Sequence, residues 1–292
     1  MNMKKVVLTL IVVFSGLGMY AQSDAILTQQ WLSRINCNPA ATGNTNDLNI
    51  FLMHRTQWSG INDAPQTSLL NATNYFKNIN SGLGLSLSYD KEGDMYTNYN
   101  AKAAYAYILN LSDASLLSLG LGVNLQNRAV DFVKVNMLHP DPLYQGRGKE
   151  SKTGVDFDFG LEFNTERLTL GASINRIGKT DVDKLNTFKN AQQVYAYLRY
   201  RISIIEGLDL APTVSYVYAG HMDVWETGLT GFIADQIWVG AAYRHEVALA
   251  FSAGFEFNMF RLGYAYDHYI KNSSALGGTH EIMLSVKLPH KR

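Results

Sequence analysis

The chain has 292 residues, a formal net charge of zero, 47% hydrophobic residues and a single cysteine. With balanced charge and no basic run, it lacks the electrostatic footprint of nucleic-acid binding. One cysteine leaves no intramolecular disulfide, and beyond the N-terminal stretch no apolar run is long enough for a transmembrane helix.

The chain opens with "MNMKKVVLTLIVVFSGLGMYAQ", in which Lys4 and Lys5 precede an apolar run from Val6 to Phe14 and small residues lead to Ala21. This layout predicts a signal peptide over residues 1–21, with Met19 an unusual residue two places before the cleavage point. The apolar run falls short of the roughly 20 residues a bilayer span needs. Cys37 lies well inside the mature chain, behind "SRIN", so it is read as a packed thiol rather than a lipid anchor. Residues 22–47, about a membrane's length if extended, form a candidate plug or periplasmic docking arm. Residues 48–292 are the predicted barrel.

From there the pattern is alternation. "LGLSLSY" (Leu83–Tyr89), "LSLGLGVNLQ" (Leu117–Gln126), "VDFDFGLEFN" (Val155–Asn164), "LTLGASIN" (Leu168–Asn175), "VALAFSAGFEF" (Val247–Phe257), "FRLGYAYDHYI" (Phe260–Ile270) and "HEIMLSVKL" (His280–Leu288) all repeat every second residue. Period two means strands. One face carries Leu, Val, Phe and Tyr. The other carries small residues and the charges Lys102, Asp156, Asp158, Glu162, Glu256, Arg261, Asp267, Glu281 and Lys287. Strands of about ten residues suit a tilted membrane crossing, whereas sandwich strands usually run to about five or six. The prediction is an all-β, transmembrane antiparallel β-barrel whose apolar face meets lipid and whose polar face lines the lumen.

Fourteen strands are expected, starting near residues 48, 66, 82, 96, 115, 153, 167, 191, 207, 221, 235, 247, 259 and 278. The first and tenth alternate least well. An even count places both termini on the periplasmic side, with short turns there and longer loops outside. The long connections are Trp58–Pro65, Arg128–Lys152, Ile177–Asn190 and Lys271–Gly277. Tyr89, Tyr99, Tyr107, Tyr216, Tyr218, Trp238, Tyr243, Tyr264 and Tyr266 are expected at strand ends or on the apolar face, as in an interfacial girdle. Asp156, Asp158 and Glu162 are expected to pair through the lumen with bases such as Arg199 and Arg201.

No catalytic, cofactor or metal residue is assigned. His245 and His280 start "HEV" and "HEIML", which lack the second histidine of a zinc-protease helix, and no nucleophile elbow occurs. His139 stands in the "HPDP" turn, His290 in the tail, and His221 and His268 near hairpins. A barrel hydrolase built from rim histidines is a third reading, after a partner-binding barrel and a passive porin.

Two stretches stand apart from the alternation: "NPAATG" (Asn38–Gly43) and "RTQWSGINDAPQT" (Arg55–Thr67). With "GLGLSLSYDKEG" (Gly82–Gly93), the "AQ" junction, "DAILTQQW" (Asp24–Trp31) and the final "HEIMLSVKL", they resemble the PorP/SprF family of Bacteroidota type IX secretion and gliding motility. Ala41 and Thr42 stand where that family usually has an aromatic and a small residue, and Asp63 where glycine is common. The resemblance implies an outer-membrane barrel without enzymatic activity. Its expected partners are membrane lipid, a large secreted adhesin with a type IX C-terminal signal domain, and periplasmic ring proteins of the machine. Asn38, Pro39, Gly43, Arg55, Gln57, Trp58, Gly60, Ala64, Pro65 and Thr67 match the family pattern, either as a docking surface or as a structural corner. Arg55 and Trp58 are the residue types that interface anchors favour.

Overall fold

Alternation of large apolar and small polar residues lets each strand present one face to lipid and one to a lumen, and the closed sheet leaves no backbone edge unpaired. The structure, a computed structural model, describes residues 26–44, 48–134, 148–178, 191–220, 222–270 and 277–288. The strands are β1 (Leu48–Thr56), β2 (Gln66–Phe76), β3 (Ser81–Glu92), β4 (Tyr96–Ser112), β5 (Ser115–Asp131), β6 (Lys149–Thr165), β7 (Leu168–Asn175) and β8 (Gln193–Tyr200). Then follow β9 (Ile202–Ile205), β10 (Leu208–Ala219), β11 (Met222–Ile233), β12 (Ile237–Arg244), β13 (Ala248–Phe257), β14 (Phe260–Tyr269) and β15 (Thr279–Leu288). Neighbours pair antiparallel, β15 pairs with β1, and β10 pairs with both β8 and β11. Because β9 prolongs β8 past Arg201 along the same partner, β10, the sheet closes as a ring of fourteen staves.

The expected strand starts agree with this order, including the weakly alternating first and tenth, now β1 and β11. One difference concerns length. β4, β5 and β6 each have 17 residues, longer than a crossing requires. Both shoulders of the expected Arg128–Lys152 loop are strand, with Arg128 opposite Lys152 and Asp131 opposite Lys149. Val130 and Phe132, packed with Met95 and Tyr96, hold this extension together. The centre of that loop and most of the loops after β7 and β14 lie outside the described residues, as does the predicted signal peptide.

Leu121, Leu125, Phe157, Val239 and Phe251 are among the exposed side chains of the outer face. Lys102, Asp156, Asp158, Glu162, Asp267 and Glu281 are buried on the inner face. Trp238 is the exception to the girdle expectation. It is 2% exposed and points inward, donating its indole N–H to Gln29 Oε1 at 3.1 Å. On β12 the outward Ile237 and Val239 flank it, so both faces read as apolar and parity alone does not assign the ring.

Candidate functional site

Residues 26–44 lie inside the barrel, where Leu27, Gln29, Leu32, Ile35, Cys37, Asn38, Ala40 and Thr42 are buried. Glycines in the wall make room for this segment. At Gly120 a Cβ would lie 2.1 Å from Ala40 N, at Gly160 1.9 Å from Asn38 Oδ1, and at Gly82 2.0 Å from Thr42 O. Gly120 and Gly160 are register partners on β5 and β6, so they form one bare patch for the "NPA" turn. Asn38 caps that turn by accepting from Ala40 N at 2.9 Å, while its Nδ2 donates to Leu161 O at 2.9 Å and Tyr197 Oη at 3.0 Å. Pro39 starts the turn, and Gly43 ends it at φ +78°, where a side chain would be strained.

Charges pin the segment further. Arg34 makes two hydrogen bonds to Glu162, each 2.9 Å, and Glu162 also accepts from Tyr197, Asn44 and Asn164. Lys102 donates to Asn36 O at 2.7 Å and to Asp158 at 2.8 Å. Burial opposes the Arg34 charge, yet the facing Glu162 carboxylate holds the guanidinium above its ordinary value. Burial pushes the Cys37 thiol up to about 12, against the pull of Arg34 and Lys102. A thiol so placed stays protonated and unreactive.

A second cluster lies towards the long-loop end. Arg55 donates to Asp267 at 2.8 Å and to Glu281 at 3.2 Å; Arg244 bridges Asp267 at 3.2 Å and Glu226 at 2.7 Å. The inner segment caps these acids: Thr28 Oγ1 donates to Asp267 at 2.6 Å, and the amides of Thr28 and Gln29 each donate to Glu281 at 3.2 Å. Arg55 is therefore 2% exposed and committed to interior carboxylates.

The rest of the second motif forms a rim corner. Gln57 N donates to Pro65 O at 2.8 Å, Ser59 N to Gly278 O at 2.9 Å, and Thr67 Oγ1 to Asp90 at 2.8 Å. A Cβ at Gly277 would come within 2.5 Å of Gly60 N, so two chain segments touch there backbone to backbone. Trp58 is half-buried, with its ring 6.5 Å from Tyr269 and its indole N–H unpaired among the described residues. Ala64 and Pro65 are half-buried. Asp63 stands at φ +54°, in the left-handed region that glycine adopts most readily.

The structure thus separates the ten motif residues into an interior group, Asn38, Pro39, Gly43 and Arg55, and a rim group, Gln57, Trp58, Gly60, Ala64, Pro65 and Thr67. The expected pairing of luminal acids takes a different form, because Arg34 of the inner segment occupies Glu162. Arg201 instead pairs with Asp209 and Asp235. Sequence reasoning missed Arg34, Gly120 and Gly160. The only available signal for the two glycines was their place on the polar face of uninterrupted strands. Among the described histidines, His54, His268 and His280 lie on outward positions of their strands, with His280 2.6 Å from Tyr264 Oη. The barrel wall separates them from the luminal acids a hydrolytic site would need. Among the described residues no three metal-ligating side chains converge.

Residues 19–286 match a family described as type IX secretion system membrane protein PorP/SprF. No curated protein sequence matches the chain. Among solved structures, the CymD monoaromatic hydrocarbon channel superposes with a TM-score of 0.57 at 12% identity, covering 94% of this chain and 97% of that one. The toluene transporter TodX of P. putida gives 0.54 at 10%, covering 88% and 93%. A Pseudomonas aeruginosa FadL homologue gives 0.51 at 12%, covering 87% and 93%. Such low identity establishes likeness of fold alone.

Proposed function

Because this chain belongs to the PorP/SprF family of type IX secretion membrane proteins, we propose that it is a non-enzymatic outer-membrane barrel that binds a large secreted adhesin and helps export it or hold it at the surface. The observation that carries this reading is the filled lumen. A segment held by Asn38, Arg34 and the amides of Thr28 and Gln29 occupies the space a solute would need, which favours a scaffold for protein contacts over an open pore. In this reading residues 1–21 are removed on export, 22–47 close the lumen, and the end carrying both barrel termini faces the periplasm. Asn38, Pro39, Gly43 and Arg55 seat the closing segment, and Trp58 with Gln57, Gly60, Ala64, Pro65 and Thr67 shapes the outer rim that meets the partner.

Crosslinking mass spectrometry on the tagged protein, drawn in mild detergent from its native membrane, tests this. A large secreted protein joined to the long-loop rim is expected. Ring proteins crosslinked at the terminal end would instead make the barrel a link to the periplasmic machine. A partnerless barrel with steady conductance in liposomes would return it to the porin reading, which the channel-like fold of CymD and TodX favours. In the filled-barrel reading only a variant lacking residues 26–44 conducts.

A further inference from the structure

At the terminal end the lumen opens into a cavity of about 380 Å³, walled by Trp31, Phe232 and Trp238 and lined by several cations around Arg199. The cations are not equivalent. Arg201 is held by Asp209 at 2.7 Å and also bonds Asp235. Arg261 and Lys287 share Glu256, at 2.5 and 3.1 Å. Arg167 is exposed at the edge. Arg199 is recessed, its guanidinium carbon 4.1 Å from the centroid of Trp31 and 5.2 Å from that of Phe232. Among the described residues its side chain makes no ion pair or hydrogen bond, although other luminal charges such as Lys102, Asp158, Glu162, Arg244 and Asp267 are each neutralised by a partner.

We propose that Arg199 and the surrounding aromatic cavity form a binding site for one carboxylate of a peptide, with an apolar group beside it. The Trp31 ring under the guanidinium holds its position, and the unpaired N–H groups suit a planar, two-oxygen acceptor. Arg201, Arg261 and Lys287 are already paired and Arg167 lies exposed at the edge, so the recessed vacancy is for a single negative charge, which suits a carboxylate better than a doubly charged phosphate. Trp31, Phe232 and Trp238 offer apolar walls that a bare ion would leave unused, whereas a side chain next to an acidic residue covers them. The volume lies near the lower end of ligand pockets, enough for one or two residues of a chain that enters the mouth. This inference rests on the proposed reading only in taking the ligand to be a polypeptide, and its test involves no adhesin.

The full chain in detergent is titrated with N-acetyl-Phe-Asp-amide, N-acetyl-Phe-Asn-amide and inorganic phosphate, following tryptophan fluorescence, to which Trp31 and Trp238 report locally. The Asp peptide is expected to give a saturable change, with the Asn peptide weaker by about tenfold or more, as loss of a charge-assisted hydrogen-bond pair implies. Arg199→Met abolishes the response and Arg199→Lys retains part of it, each checked for folding by its mobility on an unheated gel. Equal affinity for the Asn peptide, no saturable response to either peptide, stronger competition by phosphate, or an unchanged response in Arg199→Met would each overturn the assignment. The three wild-type titrations decide it even if a variant fails to fold.

Discussion

Substituting Gly120 with alanine is expected to lift the "NPA" turn off the wall. The new Cβ would lie 2.1 Å from Ala40 N, 2.4 Å from Ala40 Cα and 2.4 Å from Pro39 C, all backbone atoms that no rotamer change can move aside. Relief requires the turn to retreat by about 1 Å in a close-packed interior. A retreat of that size breaks the bonds from Asn38 Nδ2 to Leu161 O and Tyr197 Oη. At about 1 kcal/mol for each of the two neutral hydrogen bonds, with strain of about 1 kcal/mol at the low end of overpacking, the seated state loses about 3 kcal/mol. That loss raises the population of the open segment roughly a hundredfold. The chain carries its own reporter, since Cys37 is the sole cysteine, is buried next to this turn, and bonds through its thiol to Arg34 O. Maleimide labelling of folded Gly120→Ala should run about a hundredfold faster than wild type. Gly231→Ala serves as control, because its Cβ meets nothing nearer than 3.6 Å. Labelling of Gly120→Ala at the wild-type rate, in protein of unchanged heat resistance, would refute the account of the glycine patch.

Arg55→Ala leaves Asp267 and Glu281 facing each other in the interior, and the loss of a buried charge partner should cost about 3–5 kcal/mol. It is read as a drop in the temperature at which the barrel loses its folded mobility on gels, and an unchanged temperature would place Arg55 outside the stabilising network. Trp238→Phe removes the 3.1 Å bond to Gln29 and should cost about 1 kcal/mol, visible as modestly faster Cys37 labelling. The Cys37 thiol, held up to about 12 in the fold, ionises at about 8.5 when unfolded. Its contribution is intact below the unfolded value and is lost as pH rises towards the folded one, because the unfolded chain binds fewer protons in that window. Between about pH 9 and 12 stability should fall with a slope of up to about 1.4 kcal/mol per unit that Cys37→Ala lacks. Identical slopes for the two proteins would sink this assignment.

The alternation of "LSLGLGVNLQ" or "VDFDFGLEFN" was enough to determine a membrane barrel, its strand starts and which charges face inward. Each residue's side follows from parity, and parity is a local property of the backbone. Where both faces are apolar, as around Trp238, parity lost its meaning and the interior decided. The partners of the inward charges were not legible, because Arg34 and Glu162 stand 128 residues apart. They meet only once the ring has closed and residues 26–44 have taken one path through it. The same path turned Gly120 and Gly160 from ordinary small residues into a seat for Asn38 and Ala40. It also made Arg55, read from sequence as a possible surface anchor, an interior ion pair. A strand's pattern records which side its neighbours are on; which neighbours they are depends on closure of the ring, and closure belongs to the whole chain.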